Sequence, residues 1–421
     1  MSLTELFTYS FYFFFGITYL TKITLIILNI SHMKKNFAAV PKQFEDNITL
    51  EQHQKAQKYT IDKNKLSIIS IIINAFLLLF WLKWDGLVYL FNFMESLNLS
   101  ELHTGVLFII GFSMVGSVLD LPEKIYSTFY LEAKYGFNKT TPKIFITDQV
   151  KGMILGLVIG VPFLYAILTI LNALGEYWWL YTFIFILSFQ FILVWAYPKF
   201  IAPLFNKFKP LEDEELKVQI DQLAQKADIN FEKYFVMDAS MRSSHGNAYF
   251  TGFGKNKRVV FFDTLLKTLN NNEVISVLAH ELGHMKKKHI LKSLFFSSLT
   301  LLIGLYVLNL VHDLPEFFES FGHFYGKDYL AITIFTLVIP LYTFFLTPIF
   351  SWLSRKNEFE ADEFAATHTV PRDLINALLK MYRDNSSSLT PHPVFSKFYY
   401  SHPPANERVN FLASFETESN A

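Results

Sequence analysis

Long apolar runs alternate with charged stretches along this chain, and seven of the runs reach or approach the roughly 20 residues needed to cross about 30 Å of hydrocarbon. They cover residues 6–28, 66–82, 104–121, 153–174, 179–200, 290–311 and 329–352. Trp81, Trp84, Trp178, Trp179, Tyr329 and Trp352 stand at their ends, where amphipathic rings prefer the headgroup layer. The first run has no basic segment before it and no small-residue cleavage site after it, so it reads as a retained span. Lys34, Lys35, Lys42, Lys55, Lys58, Lys63 and Lys65 fill the first loop, and Lys124, Lys134, Lys139, Lys143 and Lys151 the third. Opposite them, Lys83 and Lys327 face Asp85, Glu95, Glu101, Glu176, Asp313, Glu316, Glu319 and Asp328. Basic loops stay in the cytosol, which puts the amino terminus outside and places the polar region 205–288 and the tail after Ser354 together inside.

Within the polar region the spacing of Leu216, Ile220, Leu223, Ala224 and Ala227 after Glu212-Asp213-Glu214 predicts a helix. Residues 234–237, 248–253 and 258–262 read as strands, the last two joined by a turn at Gly254-Lys255-Asn256-Lys257. A helix over 273–289 follows, capped by Asn271 or Asn272, and the stretch from Asn385-Ser386-Ser387-Ser388 to His392-Pro393 reads as a mobile loop. The expected organisation is spans one to five with cytosolic loops in 1–204, a small cytosolic α/β region in 205–289, spans six and seven in 290–354, and a cytosolic tail in 355–421.

Composition agrees: 52% of the 421 residues are hydrophobic, 46 are Phe, and only 18% are charged, an excess easiest to place where lipid is the solvent. Zero net charge gives no reason to expect nucleic acid as a partner. The absence of cysteine leaves His, Asp and Glu as the available metal ligands.

The chemistry concentrates in His280-Glu281-Leu282-Gly283-His284. On a helix the two histidines lie one turn apart on one face, so both reach one ion while Glu281 stands beside them as general base. Zinc held this way keeps a position for water and lowers that water's pKa to about 7. The bland alternative is an amphipathic helix with two histidines. A third ligand is required, and Glu358 in Asn357-Glu358-Phe359-Glu360-Ala361-Asp362 lies on the same side of the membrane. Asp362, one turn on, is placed to accept a hydrogen bond from a ligand imidazole and fix its tautomer. The competing reading is a charged helix solvating itself at the membrane surface. Two rival functions also stand: a non-catalytic transporter or scaffold with structural zinc, against which the few charges within the spans argue, Lys22 and Asp120 among them, and a different hydrolase such as an esterase.

The ordered set of Glu132-Ala133-Lys134-Tyr135-Gly136-Phe137-Asn138-Lys139-Thr140-Thr141, Ser244-His245-Gly246-Asn247-Ala248-Tyr249-Phe250, the HExxH segment, Phe359-Glu360-Ala361-Asp362, and Ser401-His402-Pro403-Pro404 with Arg408 resembles the type 1 CAAX prenyl protease family. These are integral-membrane zinc endopeptidases related to the heat-shock protease HtpX. The resemblance implies a mainly α bundle of seven spans around a large chamber, with a small α/β zinc metallopeptidase domain. It further implies Glu358 as third ligand, substrate lying along Asn247, Ala248 and Phe250 at a sheet edge, and His402 and Arg408 lining the cleft, His402 as donor to the oxyanion. By resemblance the reaction removes the C-terminal tripeptide of prenylated CAAX proteins. The alternative is quality control of membrane proteins without a prenyl requirement. His245, His289 and His368 read as ordinary polar residues. The acidic end Glu416-Thr417-Glu418 lacks a basic retention signal, which argues against retention in the endoplasmic reticulum, and Lys far outnumbers Arg beside many Phe, Ile and Asn, a bias that favours a bacterial inner membrane. The oligomeric state is not readable.

Overall fold

The computed structural model describes residues 1–229, 233–251, 258–322 and 325–418. Among them, seven helices are long and apolar enough to cross a membrane: Leu3–Lys35, Leu50–Lys83, Glu101–Tyr135, Pro142–Ala173, Gly175–Phe205, His289–Val311 and Asp328–His368. The chain is therefore an integral multi-pass membrane protein. Several helices run well past the apolar segments that announced them. Capping boxes at Ser2 with Glu5 and at Thr49 with Gln52 start the first two, satisfying orphan amides at their amino termini.

Each span lies against the next in sequence, and span seven closes the ring on span one. Trp81 of span two meets Phe112 of span three with ring centroids 4.9 Å apart. One end of the ring is filled by an apolar plug that includes Phe11, Leu82, Leu87, Phe108, Phe318 and Ile334. Farther along, span three buries none of its residues 109–130 and span four none before Leu168, among the described residues. A helix in a solid bundle hides its inner face. These hide neither face, so one side meets lipid and the other an enclosed chamber.

The opposite end of the ring carries a small α/β domain. Its sheet has the order β1-β2-β4-β3, with β1 Phe208–Pro210, β2 Lys233–Met237, β3 Ala248–Thr251 and β4 Arg258–Phe262. β2 and β4 are parallel, while β3 pairs antiparallel with β4 in the register Ala248↔Phe261 and is an edge strand. The expected turn at 254–257 lies outside the described residues. The helix Glu214–Lys226, capped by Asp213, buries Leu216, Ile220, Leu223 and Ala224 as its spacing predicted.

The helix Asn271–Lys286 is capped by Asn270 in a reciprocal box with Glu273, one residue before the expected cap. It stops short of 289: Lys288 adopts φ +57, and His289 opens the next helix. The stretch 385–393, expected as a mobile loop, is held to the ring, with Asn29 Oδ1 accepting from His392 N at 2.9 Å and Gln57 bonding Thr390.

Candidate metal centre

Two helices cross at the site. Gly283 makes the crossing close: a Cβ there would lie 2.8 Å from Ala361 Cα. The Asn271–Lys286 helix presents His280 and His284, and the helix Thr347–His368, a continuation of span seven, presents Glu358 and Asp362. No apolar signal marks the stretch after Trp352, yet the helix continues without a break into the α/β domain.

His280 Nε2 and His284 Nε2 are 3.2 Å apart, and they lie 3.5 Å and 3.3 Å from the Glu358 carboxylate oxygens. Ligand atoms on a tetrahedral ion with bonds of about 2.0–2.1 Å sit roughly 3.3–3.4 Å from one another, so the three donors have the spacing of one ion's shell. His280 Nδ1 is 2.7 Å from Asp362 Oδ1, a contact that commits that nitrogen to donation and turns the lone pair of Nε2 toward His284. Glu358 is buried, and His402 Nδ1, though 2.7 Å from Glu358 Oε2, is out of line, leaving that oxygen without a hydrogen bond among the described residues. Converging lone pairs and an orphaned buried oxygen fit a cation. Burial pulls the His280 pKa down, but the Asp362 and Glu358 carboxylates outweigh it and raise it to about 9, surroundings that stabilise one positive charge, on the ring or on a bound cation in its place. The pocket thus favours positive charge. Burial pushes the pKa of the Glu281 carboxyl up.

Arg408 reaches the site from behind. It is only 6% exposed and grips Asp362 with two bonds, Nε to Oδ2 at 2.8 Å and Nη2 to Oδ1 at 2.5 Å. Its expected place was along the cleft. His402, with a side chain 65% exposed, does open on the site. The segment leading to it is fixed by Arg355, whose guanidinium donates to Tyr400 O at 2.7 Å and Ser396 O at 3.3 Å. Asn247 is exposed, Ala248 is buried in β3, and Phe250 packs on the domain core. β3 itself lies against the HExxH helix.

The segment before β3 is braced by the ring. Arg242 donates Nε and Nη2 to Asp148 of span four at 2.9 and 3.1 Å. Phe137 stacks on His245 with centroids 4.6 Å apart, and Glu132, which accepts from Tyr59 at 2.5 Å, sits 3.7 Å from His245 Nε2.

His289 corrects the sequence reading. It is buried, with Nδ1 2.8 Å from His284 Nδ1 and Nε2 3.0 Å from Glu360 Oε2. A continuous helix over 273–289 would have turned residue 289 about 140° away from His284. The break at Lys288 brings it back, and no spacing rule shows that break in advance.

Residues 29–207 match the family described as CAAX prenyl protease N-terminal, five membrane helices, and residues 210–416 match peptidase family M48. A CAAX prenyl protease 1 homolog of rice, Oryza sativa subsp. japonica, is 34% identical over 398 residues, covering 92% of this chain and 93% of its own length. The CAAX prenyl protease 1 of Saccharomyces cerevisiae is 34% identical over 407 residues, 90% of each chain, and the human homolog 31% over 428 residues, 91% of this chain and 90% of its own. The crystal structure of S. mikatae Ste24p has the same fold, with a TM-score of 0.90 at 31% identity over 98% of this chain and 99% of that one. Similarity of this extent, over a site whose donors converge as a metal requires, means that the chain is a membrane metalloprotease belonging to the type 1 CAAX prenyl protease family within peptidase family M48.

Proposed function

We propose that the protein is a zinc endopeptidase that removes the C-terminal tripeptide of prenylated CAAX proteins, with its site facing the cytosol. The observation that carries this is the convergence of His280, His284 and Glu358, from helices two spans apart in sequence, at distances of 3.2 to 3.5 Å. A nitrogen and carboxylate donor set without thiolate suits zinc in an open catalytic site. When bound, the metal supplies Lewis-acid chemistry toward the scissile carbonyl and the attacking water.

The residues do the rest. The substrate strand adds along the outer side of β3 beside Asn247, Ala248 and Phe250, where main-chain hydrogen bonds hold any sequence in extended form. Glu281 takes the proton from the attacking water and delivers it to the leaving amine, a task helped by a carboxyl whose pKa burial has raised. His402 donates to the carbonyl oxygen as charge builds there. Asp362 orients His280, and Arg408 clamps Asp362, which we take as its role in place of substrate contact.

The positive loops support the cytosolic orientation. The names of the relatives support a prenylated substrate over general quality control. The amino-acid bias alone supports a bacterial inner membrane, while the relatives named above come from a plant, a yeast and human.

Glu281→Gln tests the mechanism: zinc content should stay at wild-type level while turnover falls by at least about 10²–10⁴. A variant that keeps turning over excludes Glu281 as the base. A farnesylated peptide compared with its unprenylated twin tests the substrate, and equal kcat/KM for the two excludes prenyl recognition.

A further inference from the structure

We infer that His289 and Glu360 are positioning residues for the metal: they fix the tautomer and ring orientation of His284, as Asp362 does for His280. The inference rests on the reading of His280, His284 and Glu358 as ligands.

With His289 neutral, the hydrogen-bond chain leaves one consistent assignment of protons. Glu360 as a carboxylate only accepts, and its Oε2 takes bonds from His289 Nε2 at 3.0 Å and Lys292 Nζ at 3.2 Å. A neutral His289 that donates through Nε2 has a bare Nδ1. That bare nitrogen is 2.8 Å from His284 Nδ1, and a contact this short between two ring nitrogens needs one proton between them. His284 must therefore donate through Nδ1, which leaves Nε2 with its lone pair, and this is the atom 3.3 Å from Glu358 and 3.2 Å from His280 Nε2. The opposite tautomer would aim an N–H at the metal position. Each of the two ligand imidazoles is thus oriented by a carboxylate on the span seven helix, directly through Asp362 for one and through an intervening imidazole for the other.

The backbone is shaped for this contact. Lys288, a non-glycine residue, sits in the left-handed region at φ +57, a conformation that persists where surrounding structure enforces it. His289, 4% exposed at the start of span six, is thereby folded back onto His284.

The test is zinc affinity of the purified full-length protein, measured by competition with a chromophoric chelator, together with the visible spectrum of the cobalt form. His289→Ala and Glu360→Ala should each weaken zinc binding by about 10- to 100-fold and perturb the cobalt bands. His289→Asn, whose side-chain oxygen replaces Nδ1 as acceptor, should stay within about threefold of wild type. Metal-free melting temperatures separate packing from positioning: lower melting with unchanged zinc affinity in both alanine variants overturns the inference. Should His289→Ala fail to fold, Glu360→Ala at a partly exposed position decides the matter by the same criterion. A wild-type protein that binds no zinc removes the metal reading itself, which is distinct from a zinc-loaded wild type whose alanine variants match it.

Discussion

Gly283→Ala adds one carbon where the two ligand-bearing helices cross. That carbon would meet Ala361 Cα at 2.8 Å, Phe364 Cβ at 3.0 Å and Ala361 O at 3.1 Å. Carbon contacts become comfortable at roughly 3.5 Å, so the helices must part by about 0.7 Å, and since the nearest atom is backbone, no rotamer change relieves the clash. Metal sites hold their bond lengths within about 0.2 Å, so a carboxylate withdrawn by several times that distance cannot complete the shell. The fold suffers less than the site. Overpacking costs roughly 1–3 kcal/mol, and alanine's better helix propensity returns about 1 kcal/mol. The expected result is a helical, monodisperse protein melting a few degrees below wild type, with zinc affinity at least about 100-fold weaker and turnover falling in proportion to zinc occupancy. Competition with a chelator measures the affinity, and circular dichroism measures the fold. Wild-type zinc affinity in Gly283→Ala would refute the claim that this crossing sets the position of Glu358.

Asp362→Asn should weaken zinc binding by about 10- to 100-fold, because a neutral amide holds the His280 N–H less strongly than a carboxylate and sets its own NH2 against the Arg408 donors, and should lower the melting temperature because Arg408 loses its buried counter-charge. His402→Ala should leave zinc affinity unchanged while kcat drops by about 10²–10³, the usual loss for one oxyanion donor; an unchanged kcat removes that role. Arg242→Ala should raise KM for peptide with zinc content intact, since it cuts the pair that ties span four to the segment before β3; an unmoved KM refutes the bracing. Prolonged chelation should abolish activity and added zinc restore it, checked by metal analysis of each form.

The spans and the two ligand segments were legible because lipid and metal each impose a pattern within a short window: about 20 apolar residues for one, an i,i+4 pair for the other. What hydropathy missed lies where helices leave the lipid. Span two begins at Leu50 rather than near residue 66, and span seven continues to His368, because charged turns solvate a helix as readily as apolar ones bury it. Asp362 was foreseen as partner to a ligand from its spacing to Glu358. Its grip by Arg408, 46 residues away, leaves no periodic trace. The stretch 385–393 looked loose since its serines favour turns, whereas its anchors Asn29 and Gln57 lie more than three hundred residues earlier. His289 was passed over because periodicity assumes the helix continues, and the departure at Lys288, at φ +57, is one that no conformational preference of lysine announces.

A wall of seven helices closed upon itself acts as a sieve before any recognition begins. On the proposed function the substrate lies extended along the outer edge of β3, so a slender strand is the form this site accepts. The geometry therefore suits trimming a loose tail and leaves the globular part of the same molecule untouched, a form of self-restraint that no inhibitor has to supply.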